Sequence, residues 1–467
     1  MGVRDYSTSL KEWRVLPSLT KKGLKPLLKT SLTNNVTLKT PLISAAMQAV
    51  TATELAIELA KMGGLGVIHC NQSIEEQARM IKGVKKYRAG FVESPLTVKP
   101  DTSLKELLRL YDNHGFSVYP ITNNGEPNGK YLGVAFSEDF RMSQDYDLTA
   151  TDFSIDIKTH EGGLSLNDAK NKLRHLRQKC LPILSKGRLD KVVFRKDVLD
   201  ERRYPSQLRD RHERLMVAAA INTHDYEQRA PALIKAGADL LVIDSSQGYS
   251  DYQAEAIEFV KKQGVSVVGG NVITREGFKF LVEAGADAVK VGMGGGSICI
   301  TQEVKRIGRG QATAVRECAA VRREMGVNTS IISDGGIVSD GDIFIALALG
   351  ADAVMMGRYF ARFEESPTKV IELKGKPVKP YWGEGSRRAM NNFRYESFNP
   401  EDAVVEGVEG HVPYAGRLEE GVRKTVKTLT NAMKTAGAYT IKDLHELKKE
   451  YVSLGSRAEG DVHDIIV

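Results

Sequence analysis

One pattern recurs three times along the chain and limits what it can fold into. It reads AGADLLVIDSS at 236–246, AGADAVKVGMG at 284–294 and LGADAVMMGRY at 349–359. In each copy an amphipathic stretch ends in a Gly able to take the left-handed conformation that caps a helix. An Asp and a short apolar run follow. A looser copy, KMGGLGVIH, occupies 61–69. Helix–Gly–strand units in series predict a parallel sheet, because apolar runs without alternation suit strands covered on both faces. Eight such runs are present, at 41–47, 64–69, 214–222, 240–246, 266–272, 288–294, 330–336 and 353–359. Eight βα units predict an α/β protein built as a closed (β/α)8 TIM barrel. The rival, an open doubly wound sheet, calls for a G-x-G-x-x-G turn after its first strand, which this sequence lacks.

The spacing breaks between the second and third runs. Residues 92–203 read as an inserted module of two halves. Each half has a helical stretch, a short strand containing Pro (VYPIT, CLPIL) and a further strand (YLGVAF, KVVF). The barrel is therefore expected from 1–91 and 204–467, with the insertion at an exposed loop, where extra chain is tolerated. A second irregularity, 362–413, is rich in charge, Gly and aromatics, with weak strands IELKG and KPVKPYW. A connection this long predicts a lid or binding loop.

Composition narrows the function classes. Lys and Arg total 66 against 59 Asp and Glu, a net charge of +7. The basic clusters are short and interrupted, so a nucleic-acid stripe is not expected, whereas an anionic small substrate fits. No apolar run approaches the ~20 residues of a membrane span. The start, MGVRDYSTSLKEW, has no apolar core of a secretory signal, so a cytoplasmic protein is expected. The four cysteines, Cys70, Cys180, Cys299 and Cys318, form no CxxC pair, which argues against a zinc site.

Chemistry is expected where barrel strands end. The sixth run ends in GMGGGSICITQ, whose glycines let backbone approach a ligand. Cys299 in that loop is a candidate nucleophile, whereas the other three cysteines sit in helix or strand patterns and read as buried. The seventh run ends in SDGG and the eighth in MMGR. Both suit phosphate binding through backbone N–H groups, with Asp334 better matched to sugar hydroxyls. Asp244, Ser245 and Ser246 end the fourth run and form a candidate second ligand site.

The segments GGGSICITQEVKRIGRGQATAV, SDGGIV, MMGRYFARFEESP and YWGEGS, with a C-terminal EG-x-x-HD, resemble the inosine-5′-monophosphate (IMP) dehydrogenase family over nearly the whole chain. The resemblance implies that 92–203 is a tandem cystathionine-β-synthase-type (CBS) module, which could bind a nucleotide. It implies NAD-dependent oxidation of IMP to xanthosine 5′-monophosphate (XMP) through a covalent thioimidate on Cys299, in guanine nucleotide synthesis. Thr301, Arg394 and Tyr395 are the other implied catalytic residues, the last two on the flap. Ser297, Gly336, Gly357, Arg358 and Tyr381 match the phosphate site, Asp334 the ribose site, and Met47, Gly385 and Glu406 the base site. Asp244, Ser245, Ser246, Asn271, Gly292 and Gly294 match the nicotinamide side, with Arg214 and Tyr252 at adenine-stacking positions. Potassium is implied at carbonyls of Gly294, Gly296 and Cys299, completed across a homotetramer by Glu459, Gly460 and Asp461. The final residue there is Gly in the family and Asp here. Two alternatives remain: GMP reductase, a relative with the same Cys loop but no long flap, and a nucleotide-sensing CBS protein with an inert barrel.

Overall fold

The computed structural model describes residues 6–87, 91–92, 95–114, 116–195, 198, 203–211, 214–390, 393 and 404–453. Eight parallel strands close a barrel: β1 (Leu42–Ser44), β2 (Leu65–Ile68), β3 (Ala218–Ile221), β4 (Leu240–Ile243), β5 (Ser266–Val272), β6 (Ala288–Val291), β7 (Ser330–Asp334) and β8 (Ala353–Met356). β8 pairs with β1, and β2 with β3, so the ring closes although some 150 residues separate β2 from β3 in sequence. Each strand falls within one of the eight apolar runs. Nearly every strand residue is buried, as a barrel filled inside and covered outside requires. Leu65, Val67, Ala218, Ala220, Leu240, Val242, Ile332 and Met355 belong to one cluster inside the ring.

The outer layer contains α1 (Thr53–Lys61), α2 (Ile74–Lys86), α3 (Tyr226–Ala236), α4 (Asp251–Lys262), α5 (Arg275–Glu283), α6 (Gln311–Met325), α7 (Asp340–Ala348) and α8 (Leu418–Ala436). The recurring sequence pattern has a physical cause at the N-terminal rim. Gly237, Gly285 and Gly350 all have φ between 98° and 121°, which only Gly adopts readily. The Asp two residues later then turns back. Asp239, Asp287 and Asp352 each accept the backbone N–H of the preceding strand's start (Val217, Val267, Ile331) at 2.8 Å. Each also meets one cation: Lys85, Lys261 and Arg322 respectively.

The segment 362–413 contains more ordered structure than a simple lid. Ile371–Leu373, Lys376–Trp382 and Glu409–Pro413 form a three-stranded antiparallel sheet. The third strand is not signalled in the sequence, because EGHVP, with a Gly and a Pro in five residues, carries little β signal.

A second compact unit spans Lys86–Pro205. It is slightly wider than 92–203 because Phe91 and Val92 pair with Val193 and Val192. One half packs Leu104–His114 on the hairpin Val118–Thr122/Tyr131–Phe136, the other Leu166–Leu176 on Cys180–Ser185/Arg188–Phe194. Val118, Val134, Phe136, Cys180, Leu189 and Val192 pack together between the halves.

Candidate active site

Strands end where the cavity begins. A pocket of about 420 Å³ opens at the C-terminal rim, a size suited to a small organic ligand. Its lining takes Met47 after β1, Asn222–His224 after β3, Asp244–Ser246 after β4 and Asn271 from β5. It continues through Gly292–Gly296 and Cys299 after β6, Asp334 at the end of β7 with Gly335 beyond it, and Gly357 after β8. Tyr381 and Gly383–Gly385 come from the three-stranded sheet and the turn beyond it, and Glu406 from the chain leading back.

Cys299 is partly exposed, whereas Cys70, Cys180 and Cys318 are buried. Burial pushes the Cys180 and Cys318 thiols up to about 12, so neither ionises readily. Cys299 Sγ lies 3.1 Å from Thr301 Oγ1, which donates to Glu406 Oε2 at 2.9 Å. Lys305 Nζ sits 2.5 Å from Glu406 Oε1. With Thr301 donating to the carboxylate, the thiol is left to donate to Thr301. The three groups thus form a path for a proton from sulfur to carboxylate. Backbone bonds pin the loop: Ile300 N donates to Glu406 O and Val408 N to Ile298 O, both at 2.9 Å. That pairing needs Gly407, where a Cβ would come within 2.9 Å of the Ser386 nitrogen.

Across the cavity, Asp334 accepts from Asn271 Nδ2 at 2.9 Å. Its pKa is raised: burial disfavours the charge, and Lys290 and the Asn271 bond offset only part of that. Tyr381 is 5% exposed and hydrogen-bonded to Ser297, with its phenol pushed up by burial. A Cβ on Gly357 would meet Tyr381 Oη at 2.7 Å and Met47 Sδ at 2.9 Å, so these three converge on one spot.

Other expected site residues lie at or beyond the edge of this cavity. Ser297 is exposed and Arg358 half-buried, and neither lines it. The Gly336 N–H is taken by the Gly295 carbonyl at 2.9 Å. Tyr252 is 71% exposed in the first turn of α4, outside the lining. The expectation for Arg214 is corrected. It precedes β3, at the opposite rim from the cavity, and pairs with Asp210 at 3.0 Å. Arg394, Tyr395, Glu459, Gly460 and Asp461 lie outside the described residues. Phe393, next to Arg394, is held by Asn222 Nδ2 through its carbonyl at 3.2 Å.

Sequence reasoning missed Asn222, the last residue of the third apolar run, and Thr223 and His224, which follow it directly. The rule that strand ends carry chemistry was enough to find them. It also missed Lys290, a buried cation within AVKV. Glu384 was missed too; it accepts from Gln48 N at 2.7 Å and Asn71 Nδ2 at 3.0 Å.

A family model described as the IMP dehydrogenase / GMP reductase domain matches residues 16–463. The chain belongs to this family. It is 42% identical to inosine-5′-monophosphate dehydrogenase of Tritrichomonas foetus, over 93% of this chain and 89% of that protein. Identity to the enzyme so named in Aquifex aeolicus (strain VF5) is 39%, over 93% and 91%. A crystal structure of GMP reductase from Trypanosoma brucei in complex with guanosine 5′-monophosphate superposes with a TM-score of 0.91. It has 29% identity and covers 99% of this chain and 98% of that one. Family membership makes the barrel an oxidoreductase scaffold. No described helix is long and apolar enough to cross a membrane.

Proposed function

We infer that the chain oxidises IMP to XMP with NAD, in the synthesis of guanine nucleotides. The observation that carries this reading is the Cys299–Thr301–Glu406 path facing Asp334 across one cavity. It occurs in a chain whose curated relatives bear the name IMP dehydrogenase. Cys299 adds to C2 of the purine, and its proton leaves toward Thr301 and Glu406. Addition makes C2 tetrahedral and a good hydride donor, and NAD, the second substrate, takes the hydride. Water then adds to the thioimidate, the thiol leaves, and XMP is released.

Asp334 receives the ribose hydroxyls. Ser297, Gly336, Gly357, Arg358 and Tyr381 hold the phosphate, and Met47, Gly385 and Glu406 read the base. Asp244, Ser245, Ser246, Asn271, Gly292 and Gly294 face the nicotinamide side, joined by His224. Tyr252 remains the candidate for the adenine end. A potassium ion would be held by carbonyls of Gly294, Gly296 and Cys299, hard oxygen donors on a loop turned by Gly294 at φ 72°. Glu459–Asp461 of a neighbouring copy would complete it in a homotetramer. Its charge would fix the Cys loop.

Arg394 and Tyr395 serve the hydrolytic half-reaction, in which water must reach the carbon that the dinucleotide has left. The bond from Asn222, which lines the cavity, to the carbonyl of Phe393 supports this. A guanidinium stays protonated, so Arg394 orients and stabilises rather than abstracts. The unit Lys86–Pro205 is read as the tandem CBS module, with a nucleotide as its ligand. The setting is cytoplasmic, because an unpaired catalytic thiol needs a reducing compartment.

The structural likeness to GMP reductase favours a second reading, deamination of GMP with NADPH. One assay separates them. Purified protein with IMP and NAD should yield NADH and XMP. Consumption of NADPH with GMP, and inertness toward IMP, would give the site to the reductase. Arg394→Ala should retain a burst of about one NADH per site and then stall with the purine trapped on Cys299. Loss of the burst would assign Arg394 to substrate binding instead.

A further inference from the structure

Gln311 lies outside the cavity, at the first residue of α6, yet it is tied to two of the loops that build it. The side chain is 5% exposed. Its Nε2 donates to the Val291 carbonyl at 2.7 Å and to Ser333 Oγ at 2.9 Å. Val291 ends β6, one residue before the glycines that lead to Cys299. Ser333 stands beside Asp334 in β7. One carboxamide therefore joins the root of the nucleophile's loop to the root of the loop that carries the sugar-binding carboxylate.

Both loops also press on it. A Cβ on Gly292 would meet Gln311 Oε1 at 2.7 Å, and one on Gly336 would meet Gln311 Cβ at 3.1 Å. Among the described residues the buried Oε1 has no hydrogen-bond partner, which is destabilising. An apolar side chain of similar shape would avoid that cost, so packing alone does not call for an amide here. Its two donors do.

The helix terminus that carries Gln311 is itself held from afar. α6 has no side-chain cap of its own. The N-terminal segment supplies one. Ser7 Oγ accepts from Gly310 N at 2.6 Å, and the Thr8 carbonyl accepts from Ala312 N at 3.1 Å and Thr313 N at 3.3 Å. Thr8 N donates to Thr313 Oγ1 at 2.7 Å, and Trp13 Nε1 donates to Thr8 Oγ1 at 3.0 Å.

We propose that Gln311 is a positioning residue. It sets the separation between the Cys299 loop and Asp334 so that both meet one nucleotide, and the Ser7–Thr8 strap fixes Gln311 through the helix it caps. The proposal rests on the dehydrogenase reading of the site. A displacement of ~1 Å at a reacting centre costs on the order of 100-fold in rate.

The test compares Gln311→Leu, Ser333→Ala and the double variant in the full-length protein, well below their melting temperatures. Two readouts are used: the rate of the first NADH turnover, and the rate at which iodoacetamide alkylates Cys299 with and without IMP. Gln311→Leu should slow the first turnover at least tenfold, with a smaller rise in KM for IMP, and should weaken the protection IMP gives Cys299. The double variant should cost less than the sum of the singles, since both break one bridge. Thr8→Val should act in the same direction, more weakly. A lowered melting temperature with unchanged first-turnover rate and unchanged protection would overturn the proposal, as would strict additivity. If the wild type makes no NADH from IMP, the dehydrogenase reading fails. The labelling rates, taken with GMP in place of IMP, then decide the bridge alone.

Discussion

Where the barrel strands begin, Asp239, Asp287 and Asp352 each bond the start of the neighbouring strand and each hold a cation. Where the strands finish, Cys299, Asp334, Asn271, Asp244 and Gly357 stand in one cavity and no two strands end alike. At three of its eight strands the N-terminal rim solves one geometric problem, the turn from helix to strand, with the same Gly and Asp. The C-terminal rim meets one asymmetric ligand, so every loop contributes something different. Carboxylates at the two rims should then answer mutation in opposite ways: removal at one should harm the fold, and at the other the chemistry.

The largest expected effect is at the C-terminal rim. Cys299→Ser should bind IMP and release no measurable NADH, because a hydroxyl at neutral pH is a far weaker nucleophile. Stopped-flow absorbance checks it. Turnover at a tenth of wild type would remove Cys299 from the mechanism.

Asp334→Asn comes next and should separate function from stability. Burial raises the Asp334 pKa above its usual value, with Lys290 only partly compensating. Between its unfolded and its raised folded pKa, the folded state holds a proton that the unfolded state has lost. Stability therefore falls as pH rises through that window, and the cost of burying the group is carried in full above it. The amide removes it. Asp334→Asn should melt higher than wild type at pH 7 by a margin that vanishes toward acid pH, while KM for IMP rises at least tenfold. A lower melting temperature at pH 7 would show that Lys290 holds the carboxylate more strongly than burial opposes it.

Asp352→Ala is the counterpart at the N-terminal rim. It strips the partner from the Ile331 N–H and from Arg322, whose side chain is 12% exposed. A loss of about 2–3 kcal/mol is expected, since a buried N–H is left unmatched and the half-buried Arg322 keeps only the Gly350 carbonyl. Activity per folded molecule should not change. Denaturant titration alongside steady-state kinetics measures both, and a large change in kcat with little loss of stability would erase the distinction between the rims.

The same contrast explains what could be read in the sequence. All eight strands were legible because a covered strand must be apolar on both faces, and the Gly–Ala–Asp pattern marked where three of them start. Cys299, Asp334 and Gly357 were legible because residues at a strand's end or in the loop after it fall on the cavity. Glu384 was not, because its partners Gln48 and Asn71 lie more than 300 residues away and only the closed ring brings them together. Gln311 was hidden for a different reason: it opens a helix outside the cavity and reaches it only through the Val291 carbonyl and the Ser333 hydroxyl of two strands.

Arg214 tests the smallest effect and the limit of reading by position. The sequence placed it at the adenine end of the dinucleotide. The fold places it before β3, at the rim away from the cavity, where its guanidinium meets Asp210. Asp210 also receives Lys85 at 3.0 Å, so losing Arg214 leaves that carboxylate paired. The Arg214 side chain is 39% exposed, and an ion pair so open to solvent contributes ~1 kcal/mol or less. Arg214→Ala should thus leave KM for NAD and kcat within twofold of wild type and shift stability only slightly. His224, which lines the cavity after β3, should instead raise KM for NAD severalfold when replaced by Ala. If the two results are exchanged, the dinucleotide reaches the N-terminal rim, and the division of labour between the barrel's ends does not hold.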